Sequence, residues 1–453
     1  MQLVAYGAQD IYLTGNPQIT FFKVVYRRHT NFSMEAIEQT FNGSADFGKR
    51  VTCTVSRNGD LMHRVYLQVT VPQVSVDDGK TFRWLNHLGH VLIKYAEVEI
   101  GGQRIDKHYG DWLHIWNELS QEAGKKVGYA NMIGNVPALT QLTTGAATSG
   151  SVVPEMDLYI PLEFWFCRNP GLALPLIALQ YHEVKINIEF RAASDCCAGE
   201  SSGLSLAAAS LFVDYIYLDT DERRRFAQVS HEYLIEQVQF TGDESVSSVS
   251  NKIKLNFNHP CKELIWVVQK DSVLLDTAAG GKQWFNYTDA VDASPLSGNP
   301  SDPYGGDIVL AVQSAEAQAN SDYPSSTGVV KDVNTVQWVN KDTGFNPVFS
   351  AKLQLNGHDR FSERMGRYFN LVQPYQHHTN VPKTGINVYS FGLKPEEHQP
   401  SGTCNMSRID NATLQLTLTA ATVDSDDAKV RVYATNYNVL RIMSGMGGLA
   451  YSN

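Results

Sequence analysis

The 453-residue sequence has little charge, no basic excess and no long apolar run. Asp, Glu, Lys and Arg make up 19% of it, below the usual quarter, so coiled coils, highly charged disorder and long helical repeats are excluded. Its 37 basic against 47 acidic residues leave a formal charge of −10. That balance argues against a sequence-independent nucleic-acid binder, which needs a basic face to displace counterions from phosphates. The dense basic clusters, Arg27-Arg28-His29 and Arg223-Arg224-Arg225, are too short for such a face, and a solvated surface or a subunit-contact salt bridge is expected of both. The most apolar run, Leu172 to Leu179, is interrupted by Pro175, whereas a bilayer helix needs about 20 apolar residues. Met1 to Gly7 lack a basic stretch followed by an apolar one, so no secretory signal is read and a soluble protein is expected.

Cysteine is sparse and scattered: Cys53, Cys167, Cys196, Cys197, Cys261 and Cys404, with no CxxC spacing. Buried free thiols in a reducing compartment are the expectation, no Cys/His grouping reads as a zinc site, and neither metal nor cofactor is expected. Enzyme templates are missing too. Ser444-Gly445-Met446-Gly447-Gly448-Leu449-Ala450 holds a GxGxxA string, but a dinucleotide site needs a helix after it, so a tail, flexible or packed, is expected. Gly280-Gly281-Lys282-Gln283 lacks the spacing and hydroxyl of a phosphate loop. His182-Glu183 and His231-Glu232 begin like HExxH without its second histidine, and no GxSxG elbow occurs. His358, His377 and His378 are expected to be solvated loop residues. No catalytic residue is assigned.

What is abundant is glycine (34), tyrosine (21) and phenylalanine (19), together with period-two alternation. Val65, Leu67, Val69 and Val71 alternate with polar neighbours, as do Val184, Ile186, Ile188 and Phe190, and Leu414, Leu416 and Leu418. Each such strand has one apolar and one wet face, as in antiparallel sheets packed on one side. Helices are few. Asp111 is the expected N-cap of a helix carrying Trp112, Ile115, Trp116 and Leu119; others are expected over 359–369 and through 219–226.

A core rarely grows beyond about 250–300 residues, so this length predicts two domains. An internal repeat agrees. Ile37-Glu38-Gln39 recurs as Ile235-Glu236-Gln237, Val98-Glu99-Ile100-Gly101-Gly102 as Leu353-Gln354-Leu355-Asn356-Gly357, and the strand opening at Val184 as the one at Leu414. The predicted division is an arm at 1–24, a first β domain at 25–218, a linker at 219–230 and a second domain at 231–453. Residues 124–152 and 271–340 read as long loops, which in compact domains are usually functional or disordered. Of the sequons at Asn31, Asn42, Asn286, Asn405 and Asn411, Asn286 is expected to be the most exposed and is the candidate glycan site.

Long blocks span the chain, among them Gln2-Leu3-Val4-Ala5-Tyr6-Gly7-Ala8-Gln9-Asp10, Glu99-Ile100-Gly101-Gly102-Gln103-Arg104-Ile105-Asp106-Lys107-His108-Tyr109, Pro170-Gly171-Leu172-Ala173-Leu174-Pro175, Leu255-Asn256-Phe257-Asn258-His259-Pro260 and Asn436-Tyr437-Asn438-Val439-Leu440-Arg441-Ile442-Met443. These blocks resemble the major capsid proteins of large icosahedral nucleocytoplasmic DNA viruses, the chlorella-virus type above all. The resemblance implies an all-β protein of two tandem eight-stranded antiparallel jelly rolls with short helical insertions, and no enzymatic activity. It also implies a homotrimer of pseudo-hexagonal outline that tiles an icosahedral virion shell, assembled in the host cytoplasm. Expected partners are neighbouring capsomers, minor capsid proteins and an internal viral membrane that the chain does not span, with no direct nucleic-acid binding. Trp112, Trp116, Tyr368 and Phe369 are expected to pack within their own domains, with subunit contacts as the alternative. Rival readings are a carbohydrate-binding or glycoside-active β-sandwich, which shares the aromatics, long loops and acidic charge, and a minor capsid paralogue.

Overall fold

The computed structural model describes residue 8 and residues 29–145, 151–275, 280–290, 344–424 and 427–451. The arm at 1–24, apart from residue 8, and most of the loop at 271–340 lie outside these. Eight strands carry the first half: β1 (Phe32–Gln39), β2 (Arg50–Thr54), β3 (Leu61–Val71), β4 (Ile93–Ile100), β5 (Gln103–Tyr109), β6 (Met156–Leu162), β7 (Val184–Phe190) and β8 (Ala208–Leu218). Eight more carry the second: β9 (His231–Val246), β10 (Ser250–Leu255), β11 (Pro260–Lys270), β12 (Val348–Leu355), β13 (His358–Asp359), β14 (Asn387–Ser390), β15 (Ala412–Leu418) and β16 (Ala428–Met443).

The first half forms sheets ordered β1-β8-β3-β6 and β2-β7-β4-β5; the second forms β9-β16-β11-β14 and β10-β15-β12-β13. All these pairings are antiparallel, and adding eight to each label of one half gives the other. Each half is therefore a jelly roll, a two-sheet solution to the problem of exposed strand edges. The repeat extends to turn chemistry. Gly101 (φ 57°) and Gly102 (φ 85°) join β4 to β5, and Asn356 (φ 52°) and Gly357 (φ 81°) join β12 to β13. Two successive left-handed residues make the type I′ hairpin that suits the strand twist, and asparagine and glycine tolerate it.

Alternation decides which face each strand buries. On β15, Ala412, Leu414, Leu416 and Leu418 are buried and the intervening residues are half-exposed. Val65, Leu67, Val69 and Val71 on β3 join Val184, Ile186 and Ile188 on β7 in the first core. β11 departs from this pattern, because all but its first residue are buried. Leu264, Trp266 and Val268 face their own core, while Ile265 and Val267 face a cluster shared with the first half.

The helices require three corrections. The stretch 124–152 is not one long loop, since Lys126–Met132 and Pro137–Thr140 are helical. Tyr109 caps α2 (Gly110–Ser120), because α2 begins a residue before Asp111, which therefore sits inside its first turn. The segment 359–369 is largely not helical. After the type I′ turn the chain stays extended through β13, and Arg364–Met365 pairs with β12; one π turn (Tyr368–Val372) and a short helix (Gln373–His377) follow. Between the halves, Thr220–Gln228 is helical, with the Asp219 carboxylate accepting from the Thr220 N–H at its N-terminus. The six cysteines are free, including the vicinal pair, and all but Cys404 are buried.

Candidate functional site and assembly surface

The seam between the halves is built like a core. Trp112, Ile115, Trp116 and Leu119 fall on one face of α2 at the i, i+3, i+4, i+7 spacing and press against Ile265, Val267, Ile386, Val388 and Tyr433 of the second half. The expectation of intradomain packing is thus corrected for Trp112 and Trp116: both lie between domains of one chain, where α2 needs a partner for its apolar face. Phe369 packs on Trp266 at 5.1 Å inside the second core, and Tyr368 lies against that core.

Charges are sealed into the same seam. Asp111 meets Arg431 at 2.8 Å, Arg431 also holds Asp243 at 2.9 Å, and Arg191 stands 3.7 Å from Asp111. Glu236 of β9 bridges the halves, 3.2 Å from Arg168, 3.0 Å from Lys262 and 3.1 Å from His398. Burial would raise the Glu236 pKa, but Arg168, His398 and Lys262 outweigh it and hold it down to about 2. Backbone groups join in: the Val238 N–H donates to Asp106 across the seam at 3.1 Å, and Gln237 Nε2 donates to the Ile105 carbonyl. With apolar packing, ion pairs and backbone bonds together, the two jelly rolls form one unit.

The C-terminal GxGxxA string has a structural use. Met446–Leu449 turns back on β16 as a hairpin, and the Tyr181 N–H donates to the Gly445 carbonyl at 2.9 Å. A Cβ on Gly447 would fall 2.6 Å from the Leu179 side chain, so this hairpin docks on the first half only where glycine leaves room. His182 Nδ1 lies 2.9 Å from the Gly447 carbonyl, which places the first HE pair in this contact. His231 meets the Phe226 carbonyl at 2.8 Å.

The histidine expectation is corrected at one position. His378 is not solvated: its side chain is buried between Glu263 and Glu396, each at 2.8 Å. Burial alone would lower its pKa, but the two carboxylates raise it to about 9. Arg223 pairs with Asp60 of its own chain at 2.8 Å. The sequon ranking also changes. Asn286 is half-buried, whereas Asn31, Asn42, Asn405 and Asn411 are exposed, because the Asn286 amide is tied into its own turn by Gln283, Thr288 and Ala290. Sequence reasoning missed one grouping altogether: His87, His90 and His114 converge in the first half. A His-x2-His spacing was its only local signal.

The outer surface of the second half carries an apolar band. Phe349 on β12 is 53% exposed, and Met365, the strand partner of the next residue Ser350, is exposed as well. Leu371, Val372 and Tyr375 follow on the helical segment, and Tyr375 is 80% exposed. His377 Nδ1 lies 2.9 Å from the Leu393 carbonyl, so exposed Leu393 continues the band. Exposed large apolar side chains gathered on neighbouring elements suit a protein contact.

Comparison with known proteins agrees with this architecture. Residues 20–219 match the family described as "Major capsid protein N-terminus", and residues 222–448 match "Large eukaryotic DNA virus major capsid protein". The chain is 58% identical to the major capsid protein of Phaeocystis pouchetii virus, covering 100% of this chain and 99% of that one. It is 43% identical to the major capsid protein of Paramecium bursaria Chlorella virus 1, with the same coverage. The solved "PBCV-1 virus capsid, quasi-atomic model" superposes with a TM-score of 0.69 at 38% identity, covering 96% of this chain and 100% of that one. Sugar binding or cleavage finds no support in these relatives. With both halves matched and the double jelly roll present, the chain belongs to the major capsid proteins of large eukaryotic DNA viruses, structural components of the virion shell and not enzymes.

Proposed function

We propose that three chains associate around one axis into a capsomer of pseudo-hexagonal outline, and that these capsomers tile the icosahedral shell. The observation that carries this reading is the duplication: each chain presents two sandwiches of identical strand order, so three chains present six similar domains. The seam supports it, because domains locked within a chain give the trimer fixed rather than hinged sides. The Phe349–Leu393 band supplies apolar surface to a lateral contact, where obligate interfaces bury about 2,000 Å² or more.

The division into 25–218, 219–230 and 231–453 is supported by β8 ending at Leu218 and β9 starting at His231. The acidic balance supports a shell that does not bind the genome directly. No helix among the described residues is long and apolar enough to cross a membrane, which fits a chain lying near an internal membrane without spanning it. Minor capsid proteins are the further partners of this reading, and assembly takes place in the host cytoplasm. Native mass spectrometry and negative-stain imaging of purified protein test the core claim. Trimers with near-sixfold outline are expected; a stable monomer at micromolar concentration overturns the reading.

A further inference from the structure

His87, His90 and His114 lie where Phe285 of the second half packs on the first, and all three are buried. His87 ends the chain's approach to a short helix, α1 (Leu88–Leu92), in the left-handed conformation (φ 54°). His90 lies one turn on, within α1, and His114 lies on α2. The two helices approach closely because residue 110 is glycine: a Cβ there would fall 2.4 Å from the carbonyl oxygens of both His90 and Ile93. The result brings one ring nitrogen from each histidine within 4.8 Å of the others.

The surroundings suit a ligand better than a hydrogen-bonded core. Phe285 stacks on His114 at 4.3 Å and meets His87 edge-on at 6.0 Å, closing the cluster against water. His90 Nε2 lies 2.7 Å from the Tyr129 hydroxyl, which orients that ring, while His90 Nδ1 and His114 Nδ1 are buried without a hydrogen-bond partner. Buried polar atoms in native structures are nearly always satisfied, so two orphaned imidazole nitrogens in one cluster point to a missing ligand. Two charged groups face them: Lys383, whose charge bears on His87 and His114, and Glu118, whose Oε1 is 4.0 Å from His114 Nε2.

We propose that His87, His90 and His114 form a binding site for a first-row transition-metal ion, Zn²⁺ by the chemistry of three imidazoles, with Glu118 as the adjacent carboxylate that offsets Lys383. Zn–N bonds to imidazole ligands run about 2.0–2.1 Å. His90 ligates through Nδ1, its ring held by Tyr129 as outer-shell partners hold metal-bound histidines. The ion joins α1 to α2, the helix that carries Trp112 and Trp116 into the seam. It is a structural staple in a closed pocket, with no substrate path.

The test uses the full-length assembled protein, stripped with a chelator, incubated with Zn²⁺ alone, desalted and measured by elemental analysis. Retention of a single ion per chain and a higher Tm than the stripped protein are expected. With Co²⁺ in place of Zn²⁺, the visible bands of a nitrogen-rich four-coordinate centre are expected. His90→Asn and His114→Gln each lose the ion and the bands. No retained ion and no rise in Tm for the folded wild-type protein overturns the proposal, as does undiminished retention in both variants. Should the variants fail to fold, X-ray absorption on the wild-type protein decides alone: a shell with three nitrogen scatterers supports the site, and an all-oxygen or sulfur shell overturns it. Trimer formation by the stripped protein is scored separately, so failure here leaves the capsomer reading untouched.

Discussion

The Asp111 carboxylate of α2 lies 2.8 Å from the Arg431 guanidinium of β16, an ion pair closed inside a single chain between two domains that are separate in sequence. Arg431 also donates to Asp243 and to Gln269 at 2.9 Å each. A buried pair adds little net stability when both partners are present, because desolvation cancels much of the attraction, but removing one partner strands the other. Arg431→Met should therefore destabilise the folded chain by about 3–5 kcal/mol. Pairing it with Asp111→Asn should recover part of that loss. Denaturant midpoints for the two singles and the double close the cycle. Additive losses would show that the pair does not couple the halves.

The buried charges predict a pH profile with two limbs. His378 has a folded pKa of about 9 against an ordinary 6.5, so its contribution is complete below about 6.5 and is lost as pH rises through 9. A shift of that size corresponds to something on the order of 3 kcal/mol. Glu236 behaves oppositely. Lowered from 4.5 to about 2, it contributes fully above 4.5 and loses that contribution as pH falls toward 2. Thermal melts should show a plateau between these limbs, and His378→Asn should be less stable at pH 6 with a flatter alkaline limb. Equal alkaline slopes in variant and wild type would remove the assignment to His378.

Alternation was legible wherever one face of a strand is wet, as on β3, β7 and β15. β11 was not, because Ile265 and Val267 are buried by the other domain just as Leu264 and Trp266 are by their own, so the period-two signal vanishes. The repeat was visible in the Gly101-Gly102 and Asn356-Gly357 turns, whose backbone demand restricts the residues. Asp111 looked like a helix cap because a local reading cannot see Arg431, 320 residues away. The histidine trio was hidden for the same reason: α1 and α2 are separated in sequence by a hairpin, and only packing brings His114 to His87.

Gly110 is the residue that sets this packing. Gly110→Ala places a methyl 2.4 Å from two backbone oxygens, which cannot rotate away. Overpacking of a tight core typically costs about 1–3 kcal/mol, and backbone obstruction puts this variant at or above the upper end. A melting temperature within one degree of wild type would show that α1 and α2 separate more easily than their packing implies.

Glycan attachment discriminates between the sequence reading and the folded structure. The Asn286 amide donates to Gln283 Oε1 at 2.8 Å and to the Ala290 carbonyl at 2.9 Å, while its oxygen accepts from Thr288. An N-linked sugar there must break donated bonds in a half-buried turn, whereas Asn42 and Asn405 are exposed. Peptide mass spectrometry of virion-derived protein should find Asn286 unmodified; a glycosylated Asn286 peptide would reverse this ranking.

The apolar band offers the sharpest separation of folding from assembly. Tyr375 and Phe349 make little contact within the chain, being 80% and 53% exposed, so charge at either position should leave the monomer fold intact. In a subunit interface the same change buries an unpaired charge, a loss of several kcal/mol per contact. Threefold symmetry makes the effect act three times in each trimer. Phe349→Glu with Tyr375→Glu should therefore give folded monomers, read as a shift from trimer to monomer in native mass spectrometry with the circular dichroism melt little changed. Intact trimers from the double variant would place the lateral contact elsewhere on the molecule.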